Sequence, residues 1–337
     1  MYHCRFKNTH YEAGLHWGQA LKRHGKLIND QHTFQITKER EEFVKGCIPI
    51  YEKYFSEILE EIRGIADGQE IAYQDLLTFL LSMYCFEFNN HCTCIAFKND
   101  ECTIFGRNSD FLVSLEKLYM NCLYDLDESF AFNGNTTAFV QMEDGMNECG
   151  LAVGLTFVYP KVREYGFNAG MLVRYILENC QTTQDAIKFL KSVPIASQQT
   201  ITLLDAKGEM AVVECNPYIV KVLQPTLDCN YVVATNDFHS QEMKEYCNPD
   251  IDDWYSEKRY QVARHALNSK KEELSLEIAQ NILAGQYGFM CQYNRKHDAD
   301  TVWSVVYDTK NKRMYRVEGN PSRKKFKEDK RFNFSSL

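Results

Sequence analysis

At 337 residues, the chain is long enough for two ordinary domains or for one large one. Its formal net charge of −8 argues against a general nucleic-acid-binding protein, which needs a basic face. Hydrophobic residues make up 45% and charged residues 25% of the chain, as in a soluble globular protein, and no run approaches the roughly 20 apolar residues of a membrane span. We therefore expect neither nucleic acid nor a membrane as a partner.

The thirteen cysteines are scattered along the chain without paired spacing, and their number is odd. Residues 1–8 lack the apolar core of a signal peptide. Together these features favour reduced thiols, and we expect a cytoplasmic protein. Because free cysteine is among the most buried residue types, no single cysteine is marked as reactive by its residue type alone.

Residues 1–91 are predicted to be mostly helical. The first helical stretch opens at 11–18, and Thr37 is a candidate N-cap for the next one. An amphipathic helix follows, which we expect Gly68 to end; its apolar face carries Phe55, Ile58, Leu59, Ile62 and Ile65. Another apolar face, at 76–84, runs into residues 85–90.

A β-hairpin is predicted next. Residues 94–97 and 102–105 are short β-favouring runs with a polar, turn-forming patch between them. Cys92 then lies at the start of the first strand, and Arg107 and Asp110 lie just past the end of the second. Since a hairpin returns its second strand beside the start of its first, these three residues should lie close together.

This grouping suits a thiol nucleophile. A nearby cation lowers the pKa of a cysteine below its free value of about 8.5 and favours the reactive thiolate. If Cys92 were the first residue of a mature chain, its own α-amine, with a free pKa of about 7.7–8.0, could act as the base. The alternatives are a buried structural cysteine and a zinc site formed by His91, Cys92, Cys94 and Cys102. The Cys92-x-Cys94 spacing is tighter than a structural zinc knuckle, and we expect no metal.

Beyond the hairpin, strand runs and helix pairs alternate in blocks. The predicted strands are 137–142, 151–157, 201–204, 210–215, 218–223 and 231–235, with a last hairpin at 302–317. A turn with Asp144-Gly145 and 147–150 separates the first two. The predicted helices are 168–179, 183–191, 254–267 and 272–283, and the basic tail 322–330 is expected to be a solvated end. Because regular βαβ units are missing from this pattern, we predict an α+β fold of antiparallel sheets covered by helices.

Cys92-Thr93, followed by a hairpin and Gly106-Arg107-Asn108-x-Asp110, resembles the start of the choloylglycine hydrolases and of the acyl-coenzyme A:6-aminopenicillanate acyltransferases. Both groups are N-terminal-nucleophile hydrolases. In the second group the protein cuts off a pro-segment before the cysteine, and since 91 residues precede Cys92, that group fits better. Further segments match it in the same order along the chain: 11–18, 61–68, 144–151 and 205–214.

The resemblance implies an αββα sandwich, in which two stacked sheets lie between two helical layers. It also implies a division into residues 1–91, a helical pro-segment or α-subunit, and residues 92–337, the catalytic β-subunit. Both would belong to one structural domain. Self-cleaving relatives often carry glycine before the cysteine, whereas this chain carries His91. Cleavage between His91 and Cys92 is therefore an expectation.

The resemblance also implies roles for individual residues. Cys92 would be the nucleophile, with Arg107 steadying its thiolate and Asp110 and Asn236 holding its amine. Asn236 follows Thr235 as in the family, although asparagine also favours turns. Arg259 resembles the arginine that supports the nucleophile, and its alternative is an ordinary surface arginine.

Two further positions are candidate substrate or oxyanion residues. Thr156 falls where bile-salt hydrolases carry an asparagine of the oxyanion hole, and threonine donates one hydrogen bond without the geometry of an amide. This departure weakens the bile-salt interpretation. Asn147 lies in the matching 144–151 segment.

The predicted function is that of a cysteine amidohydrolase or acyltransferase that needs no cofactor. Its partner would be a small N-acyl amide, cut at a linear C–N bond, or an acyl thioester, and self-association stays open. The alternative within the fold is a choloylglycine hydrolase acting on bile salts or penicillin V. Alternatives of other classes are a cysteine-rich metal-binding or redox protein and a catalytically silent relative with a binding role.

Overall fold

Two stacked sheets form the centre of the computed structural model, which describes residues 1–26, 36–86, 90–226, 229–251 and 253–331. In chain order the strands of that part are β1 (Tyr2–Asn8), β2 (His91–Lys98), β3 (Thr103–Leu112), β4 (Met120–Leu126), β5 (Phe132–Thr136), β6 (Asp144–Asn147), β7 (Ala152–Phe157), β8 (Gln199–Leu204), β9 (Met210–Cys215), β10 (Val220–Leu223), β11 (Tyr231–Ala234), β12 (Ala299–Asp308), β13 (Arg313–Glu318) and β14 (Lys327–Glu328).

The helices of the same part are α1 (His10–Arg23), α2 (Lys38–Tyr54), α3 (Ser56–Gln69), α4 (Tyr73–Ser82), α5 (Ala169–Asn179), α6 (Thr183–Ser192), α7 (Ser256–Ser269) and α8 (Leu276–Leu283). The first sheet has the order β1-β4-β5-β6-β7-β8-β9-β10, and the second has the order β11-β2-β3-β12-β13-β14. Neighbouring strands are antiparallel except β1 and β4, which are parallel.

Three apolar clusters separate the layers. Helices α1–α6 pack on the outer face of the first sheet, and α7 and α8 pack on the outer face of the second. Between the sheets lies a third cluster to which both contribute, including Phe105, Leu204, Trp303 and Tyr307. The αββα sandwich is thus confirmed, with one helical layer on each side.

The close packing of α1 on α3 explains the glycines in both helices. A Cβ atom on Gly14 would lie 2.0 Å from the backbone oxygen of Glu61, and one on Gly68 would lie 2.6 Å from that of Leu15. The prediction that Gly68 ends this helix is wrong, since Gly68 lies inside α3 and serves its packing on α1. The helix continues to Gln69, and Glu70 ends it in the left-handed conformation, with φ at 57°.

Several strands differ from the prediction. Residues 1–91 are not only helical, because β1 pairs with β4 at the edge of the first sheet. The predicted strand 137–142 is irregular, while Asp144-Gly145, predicted as a turn, lies within β6. In the tail expected to be a solvated end, Lys327 and Glu328 pair with β13.

The most consequential difference is the length of β3. Pairing with β2 and β12 carries this strand to Leu112, so Arg107 and Asp110 lie inside it and not past its end. Both side chains are fully buried. Buried polar residues break the apolar alternation by which a strand is recognised, and for that reason the sequence pattern predicts an end at Phe105.

The predicted helices after the hairpin are confirmed within a few residues at each end, and Thr37 caps α2 by accepting a hydrogen bond from the N–H of Arg40. Residues 87–89, in the predicted approach to the hairpin, lie outside the described residues. All thirteen cysteines are free thiols in the structure. No helix in the part of the chain that the structure describes is long and apolar enough to cross a membrane.

Candidate active site

The register of the β2–β3 hairpin brings the predicted site residues together. Cys92 faces Ser109 across the pair, His91 faces Asp110, and Cys94 faces Arg107. The Arg107 Nη2 donates a hydrogen bond to the Cys92 Sγ at 2.7 Å. The predicted proximity of Cys92 to Arg107 is therefore present, although it comes from the middle of a long strand.

Cys92 is fully buried, and each of its polar groups has a partner. The thiol donates to the Oδ1 of Asn90 at 2.9 Å, and the backbone N–H donates to the Oδ1 of Asn236 at 2.9 Å. Burial raises the pKa of the Cys92 thiol well above its ordinary value, and the adjacent Arg107 opposes that rise. In this structure the group is therefore a protonated thiol beside a cation.

Arg107 is held rigidly by three other acceptors. Its Nη1 lies 2.8 Å from Asp144, its Nη2 lies 3.2 Å from Glu143, and its Nε donates to the backbone oxygen of Leu155 at 3.0 Å. The guanidinium and both carboxylates are fully buried. A guanidinium fixed in this way cannot turn away from the sulfur.

Glu143 is a site residue that the sequence analysis missed. Its Oε2 accepts from the Nδ2 of Asn90 at 2.8 Å and from the Oγ of Ser109 at 3.2 Å, and its Oε1 accepts from the Oγ1 of Thr137 at 2.6 Å. It thus joins Arg107 to Asn90, the two partners of the Cys92 sulfur. The sequence signal was a pair of adjacent carboxylates, Glu143-Asp144, just before Gly145.

Asp144 was also missed as a site residue, because it was read as part of a turn. Besides Arg107, it accepts hydrogen bonds from the indole Nε1 of Trp303 at 2.9 Å, the hydroxyl of Tyr307 at 2.7 Å and the Nδ2 of Asn135. A buried carboxylate with four donors is held firmly in position. Asp144 therefore anchors the side of Arg107 that faces away from Cys92.

Asp110 lies on the opposite side of the nucleophile region. Its carboxylate accepts from the hydroxyl of Tyr293 at 3.0 Å and from that of Thr301, and it lies 3.9 Å from the Nη1 of Arg259. Burial raises the pKa of Asp110 to about 6, although Arg259 and the two hydroxyls oppose the rise. The group is thus mostly a carboxylate at neutral pH.

Asn236 and Arg259 both reach the backbone of Cys92. Arg259 donates to the backbone oxygen of Cys92 at 2.6 Å, to the Oγ1 of Thr93 at 2.8 Å and to the Oδ1 of Asn236 at 2.8 Å. The Nδ2 of Asn236 donates to the backbone oxygen of Phe157 at 2.8 Å. Arg259 is fully buried, so the alternative of a surface arginine is wrong.

His91 is buried, and its ring stacks on that of Trp254 with the centroids 4.5 Å apart. Within the described part of the chain, neither ring nitrogen has a hydrogen-bond partner. Burial, aided by the charge of Arg259, lowers the pKa of His91 to about 3. The residue before Cys92 is therefore a neutral imidazole at physiological pH.

The two candidate oxyanion residues differ in their surroundings. Thr156 is buried on β7, and its hydroxyl is hydrogen-bonded to that of Thr200 on β8. Asn147 instead uses its side-chain amide within a turn. Its Nδ2 donates to the backbone oxygens of Leu177 and Cys180, and its Oδ1 accepts from two backbone N–H groups of the β6–β7 turn. These contacts join the turn to the end of α5, and the structure does not bring Asn147 into the group around Cys92.

The zinc set considered above does not come together. Cys102 lies at the turn of the hairpin, one residue beyond the Lys98–Thr103 pair; that pair is six pairs along from Cys92, which corresponds to roughly 20 Å. The Cys102 thiol lies 3.6 Å from the backbone oxygen of Leu274. Among the residues that the structure describes, no group of three or more His, Cys, Asp or Glu side chains is placed to hold a metal ion.

Comparison with known proteins identifies the family. The sequence profile of the acyl-coenzyme A:6-aminopenicillanic acid acyl-transferase family matches residues 97–323, about two thirds of the chain. The chain belongs to this family. It is therefore an acyl-transferring enzyme of the N-terminal-nucleophile class. No curated protein matches the chain in sequence.

Two solved structures with TM-scores of at least 0.50 share the fold of this acyltransferase family member, and a third has a TM-score below that value. A variant of the conjugated bile acid hydrolase from Clostridium perfringens is 15% identical, with a TM-score of 0.51, over 72% of this chain and 97% of that chain. A second variant of that hydrolase gives the same coverage and identity with a TM-score of 0.50. Penicillin V acylase from Agrobacterium tumefaciens is 16% identical, with a TM-score of 0.47, over 67% of this chain and 82% of that chain.

Proposed function

We propose that Cys92 is the nucleophile of this enzyme and that it becomes the N-terminal residue when the chain cuts itself after His91. Residues 1–91 would then be a pro-segment that stays bound, and 92–337 the catalytic part. The observation that carries the proposal is the contact of the Cys92 Sγ with Arg107, at 2.7 Å, while the Cys92 backbone N–H is held by Asn236.

In the cleavage step the Cys92 sulfur attacks the carbonyl carbon of His91. The His91–Cys92 amide bond breaks, a thioester forms between the His91 carbonyl and the Cys92 sulfur, and the Cys92 nitrogen leaves as an amine after it gains a proton. Water then hydrolyses the thioester, which gives the carboxyl group of His91 and restores the thiol. Arg259 supports this step by holding the Cys92 backbone oxygen, at 2.6 Å.

In the catalytic cycle the freed α-amine of Cys92 takes the proton of the thiol and later gives it to the leaving amine of the substrate. The thiolate attacks the acyl carbonyl, and Arg107 stabilises the negative sulfur. Asn236 already contacts the Cys92 nitrogen, and Asp110 lies opposite His91, so both face the position of the new amine. Their role is to orient that amine.

The tetrahedral oxyanion needs hydrogen-bond donors. Asn236 supplies its Nδ2, which donates to the backbone oxygens of Phe157 and Asn90 in the uncut chain, and Thr156 lies next to Phe157 on β7. Loss of one oxyanion donor typically costs about 10²–10³ in rate. Water as acceptor of the acyl group makes the reaction a hydrolysis, and an amine makes it an acyl transfer.

A small N-acyl amide or an acyl thioester is the substrate class that this chemistry requires, because the sulfur needs an electrophilic acyl carbon and a departing amine or thiol. The reaction needs no cofactor. The thirteen free thiols also favour a reducing compartment, so the cytoplasm is the proposed location.

The test is the mass of the purified chain together with its activity on a panel of acyl amides. We expect two associated fragments, the larger beginning at Cys92, and Cys92→Ala should give an uncut, inactive chain. Cys102→Ala is the matched control, because Cys102 lies at the far end of the same hairpin. A chain that stays uncut and still turns over substrate would contradict the proposal.

A further inference from the structure

A pocket of about 150 Å³ opens beside the nucleophile region. Cavities of this size hold a group about as large as benzene. One part of its lining belongs to the site, namely His91 and Asn236. The rest of the lining is Phe157, Val158, Tyr159, Asp237, Cys247, Asn248, Pro249, Ile251 and Asp253.

The part of the pocket wall next to the nucleophile is the neutral ring of His91. Its ring lines the pocket, is 5% exposed, and has no hydrogen-bond partner at either nitrogen among the described residues. A buried polar ring without partners is unfavourable by about 1–3 kcal/mol. The ring is therefore held there by the chain that leads to Cys92, and its site becomes available when that chain is cut.

The charges of the lining have one sign. Asp237 and Asp253 carry carboxylates, and no lysine or arginine is found among the described lining residues. Lys244 lies 3.7 Å from Asp237 but outside the lining, and Asp253 accepts the N–H of Ser256 at the start of α7. These contacts weaken the negative potential of both carboxylates in the pocket, but the potential stays negative.

The two buried arginines nearby do not supply a free cation. Arg107 already faces Glu143 and Asp144, and Arg259 faces Asp110. The net charge of the whole chain, −8, adds to the negative potential. Arg259 also donates to the Oδ1 of Asn236 and the backbone oxygen of Asp253. Lys161, outside the lining, donates to the backbone oxygens of Glu245 and Cys247. An anion that enters the pocket thus loses water and, in the part of the chain that the structure describes, meets only cations whose donors are already engaged.

The position of His91 indicates which part of a substrate enters the pocket. In the cleavage reaction His91 provides the carbonyl that Cys92 attacks, so the His91 side chain lies on the acyl side of the broken bond. This step rests on the proposed function. The acyl group of an external substrate is attacked by the same sulfur and takes the same side.

We propose that this pocket is the acyl subsite and that it selects a small acyl group that is uncharged or cationic where it is buried. Acyl groups that end in a carboxylate are rejected by Asp237 and Asp253. The discrimination concerns the acyl end of the substrate and leaves the leaving amine unrestricted.

The test uses amides of one fluorogenic aminocoumarin with acyl groups of similar length and different charge: valeryl, glutaryl and aminobutyryl. For the mature enzyme, kcat/KM for the glutaryl amide should be lower than for the valeryl amide by roughly tenfold, the effect of charges several ångströms apart near a protein surface. The aminobutyryl amide should react at least as fast as the valeryl amide.

Asp237→Asn and Asp253→Asn should each raise the glutaryl-to-valeryl ratio several-fold. Asparagine at 253 can still accept the N–H of Ser256, so the start of α7 is kept. Asp250→Asn is the matched control, because Asp250 is exposed and outside the lining, and it should leave the ratio unchanged.

A glutaryl amide that reacts as fast as the valeryl amide, or a ratio that neither variant changes, would overturn the acyl-subsite proposal while leaving the proposed function standing. Hydrolysis of none of the three amides by a chain correctly cut at Cys92 would contradict the proposed amidase activity, and the subsite with it.

Discussion

Two buried arginines, Arg107 and Arg174, have nearly the same electrostatic surroundings and different consequences. Each is fully buried and lies between two buried carboxylates, Glu143 and Asp144 for the first, Glu61 and Glu178 for the second. Around Arg174 every guanidinium nitrogen donates to a carboxylate or a backbone oxygen, and the cation lies 3.9 Å from the centre of the Tyr124 ring.

The two arginines differ in the additional residue that joins each cluster. The Arg107 Nη2 is shared between Glu143 and the sulfur of Cys92, whereas the Arg174 cluster adds His10, which bonds to Glu178 at 3.1 Å. His10 and Glu61 belong to residues 1–91, and Arg174 and Glu178 to the rest of the chain. In the proposed mechanism, Arg107 thus prepares the nucleophile, and Arg174 joins the proposed pro-segment to the proposed catalytic part. A buried ion network marks a reactive site only when a reactive atom is part of it.

The largest expected effect comes from replacing each arginine by lysine. Arg107→Lys keeps the charge but loses the planar fork that holds Glu143, Asp144 and Cys92 together, so kcat should fall by about 10²–10³. Arg174→Lys should instead lower the free energy of unfolding by about 3 kcal/mol, because a buried carboxylate loses its partner. Its activity per folded molecule should stay within about twofold of the parent, measured by active-site titration. Equal loss of activity in both variants would contradict the assignment of a catalytic role to Arg107 and a structural role to Arg174.

Asp110→Asn tests the other side of Cys92. Asp110 should hold the new α-amine and raise the pKa of that amine, because an opposite charge favours the protonated form. The variant should therefore lose at least roughly tenfold in kcat and shift the rising limb of its pH–rate profile toward lower pH. The apparent pKa of this limb describes the coupled titration of the amine and the thiol, and not that of either group alone.

The parent enzyme supplies an internal check on Asp110. Its pKa is raised to about 6 by burial, so the carboxylate is present above that pH and is lost as the pH falls through it. Parent activity should then decrease below about pH 6 for a reason that the asparagine variant does not share. If Asp110 only shapes its strand, the two pH–rate profiles will overlay.

A smaller effect is expected from Tyr307→Phe. This change removes one of the four donors to Asp144 and leaves the ring in the cluster between the sheets. Asp144 then holds Arg107 less firmly, and kcat should fall by a few-fold, since one buried hydrogen bond contributes about 1 kcal/mol. KM should stay nearly constant. Tyr315→Phe, on the other face of the same sheet, should change neither constant.

The smallest effect concerns His10 and pH. Burial lowers the pKa of His10, but the hydrogen bond and charge of Glu178, with Glu61, raise it more, so the net shift is upward. A raised pKa stabilises the folded state fully below the unfolded value of about 6.5, and this stabilisation is lost as the pH rises through the folded value. The unfolding free energy should fall over that window, and His10→Gln should flatten this part of the stability profile. If the unfolding free energy of the variant changes with pH as steeply as that of the parent, a group other than His10 causes the pH dependence.

The same comparison shows what the sequence could reveal. The hairpin and the grouping of Cys92 with Arg107 were predictable, because turn residues between two β-favouring runs determine which ends meet. Glu143 and Asp144 were not, because buried carboxylates beside a glycine have the pattern of a surface turn. Their burial depends on Arg107 and Trp303, which are distant in sequence.

Strand β1 was missed for a different reason. It is a short edge strand with most residues exposed, and the period-two alternation of Tyr2, Cys4 and Phe6 with polar residues is a strand signal that the prediction of a helical segment did not use. The αββα sandwich itself was predicted from the family resemblance, whereas blocks of strands and helices alone indicated only an α+β fold. Asn147 shows the limit of such transfer, since a matching motif placed it in the site and its contacts place it in a turn.

The most direct test of the account is to trap the acyl-enzyme. The mature enzyme is incubated with an activated acyl thioester, quenched in acid and digested, and the acylated peptide is located by mass spectrometry. The account predicts one acyl group, on the peptide that begins with Cys92, and none in Arg107→Lys under the same conditions. An acyl group on another of the thirteen cysteines, or on Cys92 within an uncut chain, would contradict it.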